Sequence, residues 1–283
     1  MMSEPKPRTL YIVATPIGNL EDMTFRAVRV LQNVDMIAAE DTRHTGKLLH
    51  HFQVKTPQVS YHEHNSTSRI PELLQKLEDG KTIALVSDAG MPGISDPGYE
   101  LVKACVDAGF DVVPIPGANA AITALSAAAL PTDKFVFEGF LPPKLQQRRE
   151  YLELLKTESR TLIFYESPHR LRATLQDLAE VFGGAERKIA IARELTKLYE
   201  EFWRGTLDAA CEYYQTKEPQ GEYTLVVEGN TTSDQELSVA QIKVELARMI
   251  AQGITRSQAT KELAKLTSIP KRQLYQLALE IDI

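Results

Sequence analysis

The amino-acid sequence predicts an α/β fold: two α/β domains with a ligand cleft between them, followed by a small C-terminal helical domain. Short apolar runs typical of buried strands alternate with amphipathic helical segments through most of the chain. The runs in the first part are near-continuous, as in a mostly parallel sheet, whereas Glu200–Gly205 alternates and favours antiparallel pairing in a mixed second sheet. Three helical patterns follow a polar stretch, residues 229–236. The predicted domains span residues 1–117, 118–230 and 238–283.

Length and composition are those of a globular protein. The chain has 283 residues, of which 43% are hydrophobic and 25% charged. No apolar run approaches the roughly 20 residues that a membrane span needs, and the first eight residues lack the apolar segment of a secretory signal. Cys105 and Cys211 lie in predicted helices and are interpreted as buried thiols, which fits a reducing cytoplasm. A net charge of −6 argues against non-specific coating of nucleic acid. We therefore expect a cytoplasmic protein with no membrane segment.

In the first domain, each apolar run is followed by a helical pattern, which predicts repeated β-then-α units. The strands are predicted at residues 10–14, 35–39, 59–61, 82–86 and 111–115. The helices between them are predicted at residues 24–32, 43–51, 68–78 and 99–107. Ser95 or Asp96 is expected to cap the helix that follows the fourth strand, with Pro97 at its first position.

The second domain opens with a helix of small apolar residues, 118–130, which we expect to be buried because polar positions are few on any face. Strands are predicted at residues 135–140, 161–165, 188–192, 200–205 and 223–227. Helices are predicted at residues 145–156, from about 170 to 181, and at 208–214. The strand at 200–205 is expected to pair antiparallel with the strand at 188–192.

The last domain is predicted as three short helices, at residues 239–251, 256–265 and 271–281. Thr255 or Ser257 can cap the second helix, and Pro270 stands at the start of the third. Residues 238–283 hold seven Lys and Arg against four Asp and Glu, whereas the whole chain is acidic. A basic helical trio resembles a helix-turn-helix. A small helical bundle with solvated lysines explains the pattern equally well.

The loop after the fourth strand, residues 87–98, combines glycines and prolines between a buried strand and a helix. Such a loop lets the backbone approach a ligand closely, and open α/β sheets bind ligands at the carboxyl ends of parallel strands. It matches neither the dinucleotide-binding fingerprint nor the P-loop. A tight βα connection without a ligand is the alternative.

Polar and turn-forming residues follow four of the predicted strands of the first domain, and four such loops on one sheet edge favour a cleft. They are the segments Thr15–Leu20, Glu40–Arg43, Ser87–Asp88 and Pro116–Gly117. An N-cap of the next helix is the alternative for Asp41. His62 and His64 alternate at a strand end and offer two metal ligands at most, so no metal is predicted.

Five segments, taken together, carry a resemblance to a known family. They are Thr15–Leu20, Ala39–Thr45, Ser87–Pro92, Phe164–Arg170 and Arg193–Lys197. In this order they resemble the small-subunit ribosomal RNA cytidine 2′-O-methyltransferases, which are tetrapyrrole-methylase-like (class III) methyltransferases. The resemblance covers roughly Thr9 to Gly229, and the C-terminal helices look like the appended helical domain of that family. The sequence departs from the family pattern at Met91, where a threonine or serine is expected.

The resemblance implies methyl transfer from S-adenosylmethionine to a ribose 2′-hydroxyl of cytidine in small-subunit ribosomal RNA, by a homodimer. It implies a cofactor folded into the cleft between the domains. The implied cofactor residues are Pro16, Ser87, Asp88, Gly90, Met91, Ile94, Ser95, Asp96, Asn119, Ala120, Tyr165, Glu166, Tyr223 and Thr224.

A positioned base would assist the 2′-hydroxyl, which is a weak nucleophile. The hypothesis for that base is the pair Glu40 and Asp41, with Arg43 orienting a phosphate. The alternative is that Asp41 caps a helix and Glu40 forms a salt bridge with Arg43. Two other functions compete: a methyltransferase of this fold acting on a small molecule such as a tetrapyrrole, and a nucleic-acid-binding regulator whose α/β part senses a ligand.

Overall fold

The computed structural model describes residues 5–231, 239–267 and 269–281, without the side chains of residues 241, 265 and 266. The chain forms two compact units. The first comprises the chain up to Leu155 together with Arg160–Glu228, and it holds two five-stranded sheets. The second comprises Lys156–Ser159 and the chain from Gly229 onward. The domain boundary predicted at residue 117 falls between the two sheets of the first unit and stays a prediction.

The first sheet is parallel throughout, as its near-continuous apolar strands predict. Its strands are β1 (Thr9–Val13), β2 (Met36–Ala39), β3 (Gln58–Ser60), β4 (Thr82–Val86) and β5 (Asp111–Ile115). Their order is β3-β2-β4-β1-β5, and each neighbouring pair is parallel. All residues of β1 and β4 are buried, because helices cover both faces of the sheet.

Four helices cover this sheet: α1 (Phe25–Asn33), α2 (Thr42–His51), α3 (Ser66–Glu78) and α4 (Tyr99–Asp107). On one face, Leu31 of α1 and Leu49 of α2 share a core with the sheet. On the other face, α3 and α4 contribute a second core. The N-cap of α1 is Thr24, whose side chain accepts a hydrogen bond from the amide of Ala27.

The helix α4 spans the predicted residues, but its predicted N-cap is wrong. The helix begins at Tyr99 after Gly98, with no side-chain cap, so neither Ser95 nor Asp96 caps it and Pro97 precedes it. Ser95 has a positive φ of 61°, and the carboxylate of Asp96 meets the hydroxyl of Ser87. The loop therefore continues two residues further than the capping pattern predicts.

The second sheet is mixed, as predicted. Its strands are β6 (Phe135–Phe140), β7 (Thr161–Glu166), β8 (Lys188–Arg193), β9 (Glu201–Thr206) and β10 (Tyr223–Val227). Their order is β6-β7-β10-β8-β9; β6 and β7 are parallel and the other pairs antiparallel. The predicted antiparallel pairing of β8 with β9 is confirmed.

The helices of this part are α5 (Ala120–Ala127), α6 (Leu145–Leu155), α7 (Pro168–Phe182) and α8 (Leu207–Thr216). The last three pack on one face of the second sheet, and α5 packs on the other. The prediction that α5 is buried is only half right: Ala121, Ala124 and Leu125 are buried, whereas the Ile122 side chain is 51% exposed. The helix ends before Ala129, which has a positive φ of 60°.

The second unit holds α9 (Val239–Ala251), α10 (Arg256–Leu266) and α11 (Lys271–Leu279). Each helix contacts the other two, around a core that includes Leu246, Leu263 and Leu274. Thr255 caps α10 by accepting a hydrogen bond from the amide of Gln258. Ser268, which stands between the predicted helices at 256–265 and 271–281, lies outside the described residues.

Both cysteines are free thiols, and burial raises the pKa of Cys105 to about 12. Among the helices that the structure describes, none is long and apolar enough to cross a bilayer.

Candidate active site

The carboxyl ends of β1 and β4 are joined by their following loops. The amide of Thr15 donates to the carbonyl of Gly90 at 2.9 Å, and the amide of Gly90 donates to the carbonyl of Thr15 at 3.0 Å. Gly90 has a φ of +78°, a conformation that glycine adopts without strain. A Cβ on Gly90 would lie 3.4 Å from Cγ2 of Ile17 and 3.7 Å from the carbonyl oxygen of Ala118. The β4–α4 loop is thus folded back onto the segment after β1, where Pro16 is half-buried.

The ends of β2 and β4 are tied by two side chains that exchange backbone hydrogen bonds. Oδ1 of Asp88 accepts from the amide of Asp41 at 3.2 Å, and Oε2 of Glu40 accepts from the amide of Asp88 at 3.3 Å. These bonds hold two carboxylates close together at the sheet edge. Burial and the charges of Asp88 and Asp41 raise the pKa of Glu40, although the hydrogen bond from the Asp88 amide and the charge of His62 oppose the shift.

Asp41 is the N-cap of α2, as the alternative interpretation expects. Its Oδ1 accepts from the amide of Arg43 at 2.8 Å, and its Oδ2 lies 3.0 Å from the guanidinium of Arg43. The hydrogen bonds from Arg43 lower the pKa of Asp41 to about 2, which makes this carboxylate a weak base. The alternative interpretation expects a salt bridge between Glu40 and Arg43, but the guanidinium of Arg43 pairs with Asp41 instead. The Arg43 side chain is otherwise 89% exposed.

Asp96 lies at the centre of the polar cluster. Burial, the charge of Glu40 and the charge of Asp88 raise the pKa of Asp96 to about 6, although a hydrogen bond with Ser87 opposes the shift. Burial has the largest effect because a carboxylate loses hydration when it leaves water. Ser87 itself is buried.

A cavity of about 500 Å³ opens beside this cluster, lined by Glu40, His62, Ser95 and Asp96 among others. The rings of His62 and His64 are 6.0 Å apart. Within the described residues, no group of three His, Cys, Asp or Glu side chains is arranged to hold a metal ion.

The second sheet contributes an aromatic wall to the site. The ring of Tyr165 lies 4.9 Å from that of Phe137 and 5.6 Å from that of Phe140. Burial raises the pKa of Tyr165; a hydrogen bond with the backbone of Ala121 opposes this, and the charge of Asp96 adds to it. Asp96 of the β4–α4 loop and Tyr165 of the second sheet are thus close enough to interact electrostatically. A Cβ built on Gly139 would lie 3.3 Å from Oγ of Ser95, so the two sheets are in close contact here.

Five further predicted residues lie on β10, at the start of α5 and in the β4–α4 loop. Thr224 is opposite Tyr165 in the β7–β10 pair. Asn119 caps α5 by accepting from the amide of Ile122 at 3.1 Å, and Ala120 packs in the core beneath it. Met91 packs against the core of the first sheet. The methionine that departs from the family pattern at this position therefore adds apolar contacts to that core. Ile94 is exposed.

The side chains of Glu166 and Tyr223 do not reach the site. Oε2 of Glu166 accepts from the hydroxyl of Thr174 at 2.6 Å, and Tyr223 packs against Tyr214 at 5.9 Å. Successive residues of a strand point to opposite faces of the sheet. Tyr165 and Thr224 face α5, so the side chains of Glu166 and Tyr223 face α7 and α8. Their predicted role in cofactor binding is therefore confined to the backbone.

Sequence reasoning missed a contact between loops of the two sheets. The amide of Asn19 donates to Oγ1 of Thr196 at 3.0 Å. A Cβ on Gly18 would overlap Cγ of Lys197 and lie 3.0 Å from the carbonyl of Leu195. Thr196 also has a positive φ of 65°. The signal was present, because Gly18 and Lys197 belong to two of the segments that carry the family resemblance.

Solved structures share this arrangement of two sheets. Uroporphyrin-III C-methyltransferase from Thermus thermophilus matches with a TM-score of 0.56, over 78% of this chain and 94% of that chain, at 22% identity. A structure of the Thermus enzyme complexed with S-adenosyl homocysteine matches with a TM-score of 0.56 at 15% identity, over 78% of this chain and 97% of that chain. Diphthine synthase matches with a TM-score of 0.61 at 11% identity, over 78% of this chain and 90% of that chain. The fold is that of the class III methyltransferases.

The family model for tetrapyrrole (corrin/porphyrin) methylases matches residues 9–211, and the chain belongs to this family. It is 58% identical to ribosomal RNA small subunit methyltransferase I from Synechocystis sp., over 96% of this chain and 98% of the relative. It is 49% identical to the protein of the same name from Bacillus subtilis, over 94% and 92%. The chain is thus a methyltransferase whose similarity to these relatives includes the C-terminal helices.

Proposed function

We propose that the protein transfers a methyl group from S-adenosylmethionine to a ribose 2′-hydroxyl of a cytidine in small-subunit ribosomal RNA. S-adenosylmethionine is the methyl donor of this methyltransferase family. The observation that supports small-subunit ribosomal RNA as the substrate is the 58% identity to ribosomal RNA small subunit methyltransferase I over nearly the full length of both chains. Cytidine and the 2′ position come from the motif resemblance.

The residues at the site fit this cofactor. S-adenosylmethionine carries a positive sulfonium and a positive ammonium group, and the carboxylate of Asp88, just after the end of β4, offers the opposite charge. Tyr165 offers a half-buried aromatic face for the adenine base. When bound, the cofactor supplies an electrophilic methyl group. The protein then has to hold the hydroxyl in line with that group, and such positioning supplies much of the rate.

Arg43 is proposed to meet a phosphate of the RNA. Its guanidinium is largely exposed although it contacts Asp41, and a guanidinium can bind a phosphate through two parallel N–H donors. Asp41 keeps the charge of Arg43 at the end of β2 and fixes the first turn of α2. Both residues of this loop therefore act on the position of the substrate.

The C-terminal helices are proposed to position the RNA substrate without taking part in chemistry. Two of their cations are engaged within the unit: Lys243 pairs with Glu280, and Arg248 pairs with Glu245. Lys261, Lys271 and Arg272 are exposed. Exposed cations on a small unit of an otherwise acidic chain attract phosphate.

A homodimer and a cytoplasmic location are also proposed. Large apolar side chains at the surface of the first unit support association, since exposed apolar groups mark interaction surfaces; Phe25 and Leu198 are examples, at 96% and 88% exposure. Sedimentation velocity measures the dimer directly. The free thiols and the proposed ribosomal substrate support a location in the cytoplasm.

The test is methyl transfer with S-adenosylmethionine labelled in the methyl group. Purified protein is incubated with small ribosomal subunits, with free small-subunit RNA and with a tetrapyrrole, and the labelled RNA is digested to nucleosides. We expect label in 2′-O-methylcytidine from one of the two RNA substrates. Label in the tetrapyrrole alone would replace the RNA function with the small-molecule function, and label in another nucleoside would correct the target.

A further inference from the structure

Three acidic side chains from two loops meet at the carboxyl edge of the first sheet. Glu40 follows β2, and Asp88 follows β4. Asp96 stands eight residues further along the β4–α4 loop, which folds back so that the charges of Glu40 and Asp88 act on it. Glu40 and Asp88 are fixed by their exchanged backbone hydrogen bonds. Like charges repel, so the fold holds this cluster at a cost in stability.

Glu40 and Asp96 both line the cavity of about 500 Å³, so a ligand can reach them. His62 lines the same cavity, and its Nδ1 has no hydrogen-bond partner among the described residues. Asp96 also acts on Tyr165 across the cleft. It therefore stands between the first-sheet loops and the aromatic wall on which the cofactor is proposed to lie.

Asp41, the other carboxylate of this edge, is engaged elsewhere. It caps α2 and contacts the guanidinium of Arg43, and both interactions stabilise its ionised form. A base has to give up such stabilisation when it takes a proton. Asp96 has the opposite environment, since burial and its negative neighbours favour its protonated form.

We propose that Asp96 is the general base of the methyl transfer, with Glu40 as the positioning residue beside it; this assignment rests on the proposed function. In the step, a lone pair of the ribose 2′-oxygen forms a bond to the methyl carbon. The carbon–sulfur bond breaks, and its electron pair stays on sulfur as a neutral thioether. The hydroxyl proton moves to the carboxylate of Asp96, so that charge and atoms balance. A proton delivered to Asp96 also relieves its repulsion with Glu40.

Several titratable groups surround Asp96, and each one affects its protonation. Glu40 and Asp88 disfavour its ionised form, and Ser87 favours it. Tyr165 faces it from β7. Around the same cavity stand five more groups: His62, Glu63, His64, Tyr99 and Glu100. The charges of Glu40 and Asp88 dominate the interactions with charged groups, so an acid limb set by Asp96 should respond to a change at Glu40.

The test is the rate constant of a single turnover at saturating cofactor, measured from pH 5 to pH 9 on the RNA substrate. For the wild type, we expect a tenfold rise per pH unit below the pKa of Asp96 and a plateau above it. Asp96→Asn should lower the plateau by about 10²–10⁴-fold and remove this limb. Glu40→Gln should move the limb to lower pH, because one negative neighbour is lost. Asp107→Asn, which removes a carboxylate from the exposed end of α4, should keep the wild-type profile.

Two further measurements separate a base from a structural or a cofactor-binding group. Calorimetry should give Asp96→Asn a cofactor affinity within about threefold of wild type; an affinity loss as large as the rate loss would overturn the assignment. Carbon-13 NMR of the carboxyl groups without RNA should show the Asp96 resonance titrating at lower pH in Glu40→Gln, and an unmoved titration would refute the role of Glu40. No methylation of any RNA by the wild type would reject the proposed function. Methylation with an unchanged acid limb in Asp96→Asn would reject the base assignment alone.

Discussion

Gly90→Val should weaken cofactor binding while the protein stays folded. Gly90 has a φ of +78° and is held by two hydrogen bonds to Thr15. A β-branched residue in that conformation costs about 1–3 kcal/mol. The branched methyl groups would also crowd Ile17 and Ala118, because a bare Cβ already lies 3.4 Å from Cγ2 of Ile17.

The free variant can relax its loop, so binding has to restore the strained conformation. The strain then appears as lost affinity, and 1–3 kcal/mol corresponds to roughly a 5- to 150-fold higher Kd. Calorimetry with S-adenosylmethionine measures this change, and thermal unfolding confirms the fold. Gly109→Val is the matched control, because Gly109 has a φ of +75° with nothing within 4 Å of its Cβ position. It should lose similar stability but no affinity. A folded Gly90→Val variant with a Kd within twofold of wild type would refute a cofactor role for this loop.

Three other substitutions or deletions test separate parts of the molecule. Asp177→Asn should lower the free energy of unfolding by about 3–5 kcal/mol in a denaturant titration, because the 2%-exposed Asp177 pairs with the buried Arg148; a loss below 1 kcal/mol would contradict a structural pair. Asp41→Asn keeps a cap acceptor, so it should leave cofactor affinity unchanged and lower turnover by less than tenfold; a loss of 10²-fold or more would return the base role to this carboxylate. Truncation after Ser233 should keep the cofactor affinity measured by calorimetry, since the cores of the first unit contain no residue beyond it. It should weaken methylation of ribosomal RNA and make its salt dependence shallower; full activity with an unchanged salt slope would exclude RNA positioning by the C-terminal helices.

The sheet architecture could be predicted because the signals are local. The predicted and observed bounds of β4, β5, β6 and β10 coincide, since each is an apolar or aromatic run between polar or turn-forming residues. Parallel pairing in the first sheet follows from strands that are apolar on both faces. Antiparallel pairing of β8 and β9 follows from the alternation in β9.

The composition of the site could be predicted, but not the orientation of its side chains. Alternation in β7 shows that Tyr165 and Glu166 face opposite sides, yet nothing in the strand itself shows which side holds the cleft. The partner of Arg43 depended on the path of the backbone at the start of α2. The small residues of α5 likewise left open which face is exposed, because alanine is compatible with both environments.

The electrostatics of the acidic cluster link the fold to its proposed chemistry. The pKa of Asp96 is about 6 in the folded protein against a reference value of 3.8, so the folded state binds more protons than the unfolded chain between these values. Stability therefore falls as pH rises from about 4 to about 6. A residue kept for stability would show the opposite sign. Asp96→Asn should accordingly unfold at a higher temperature than wild type at pH 7.5, with no such gain at pH 4. A stabilised but slow enzyme is the combination that a general base held among like charges produces.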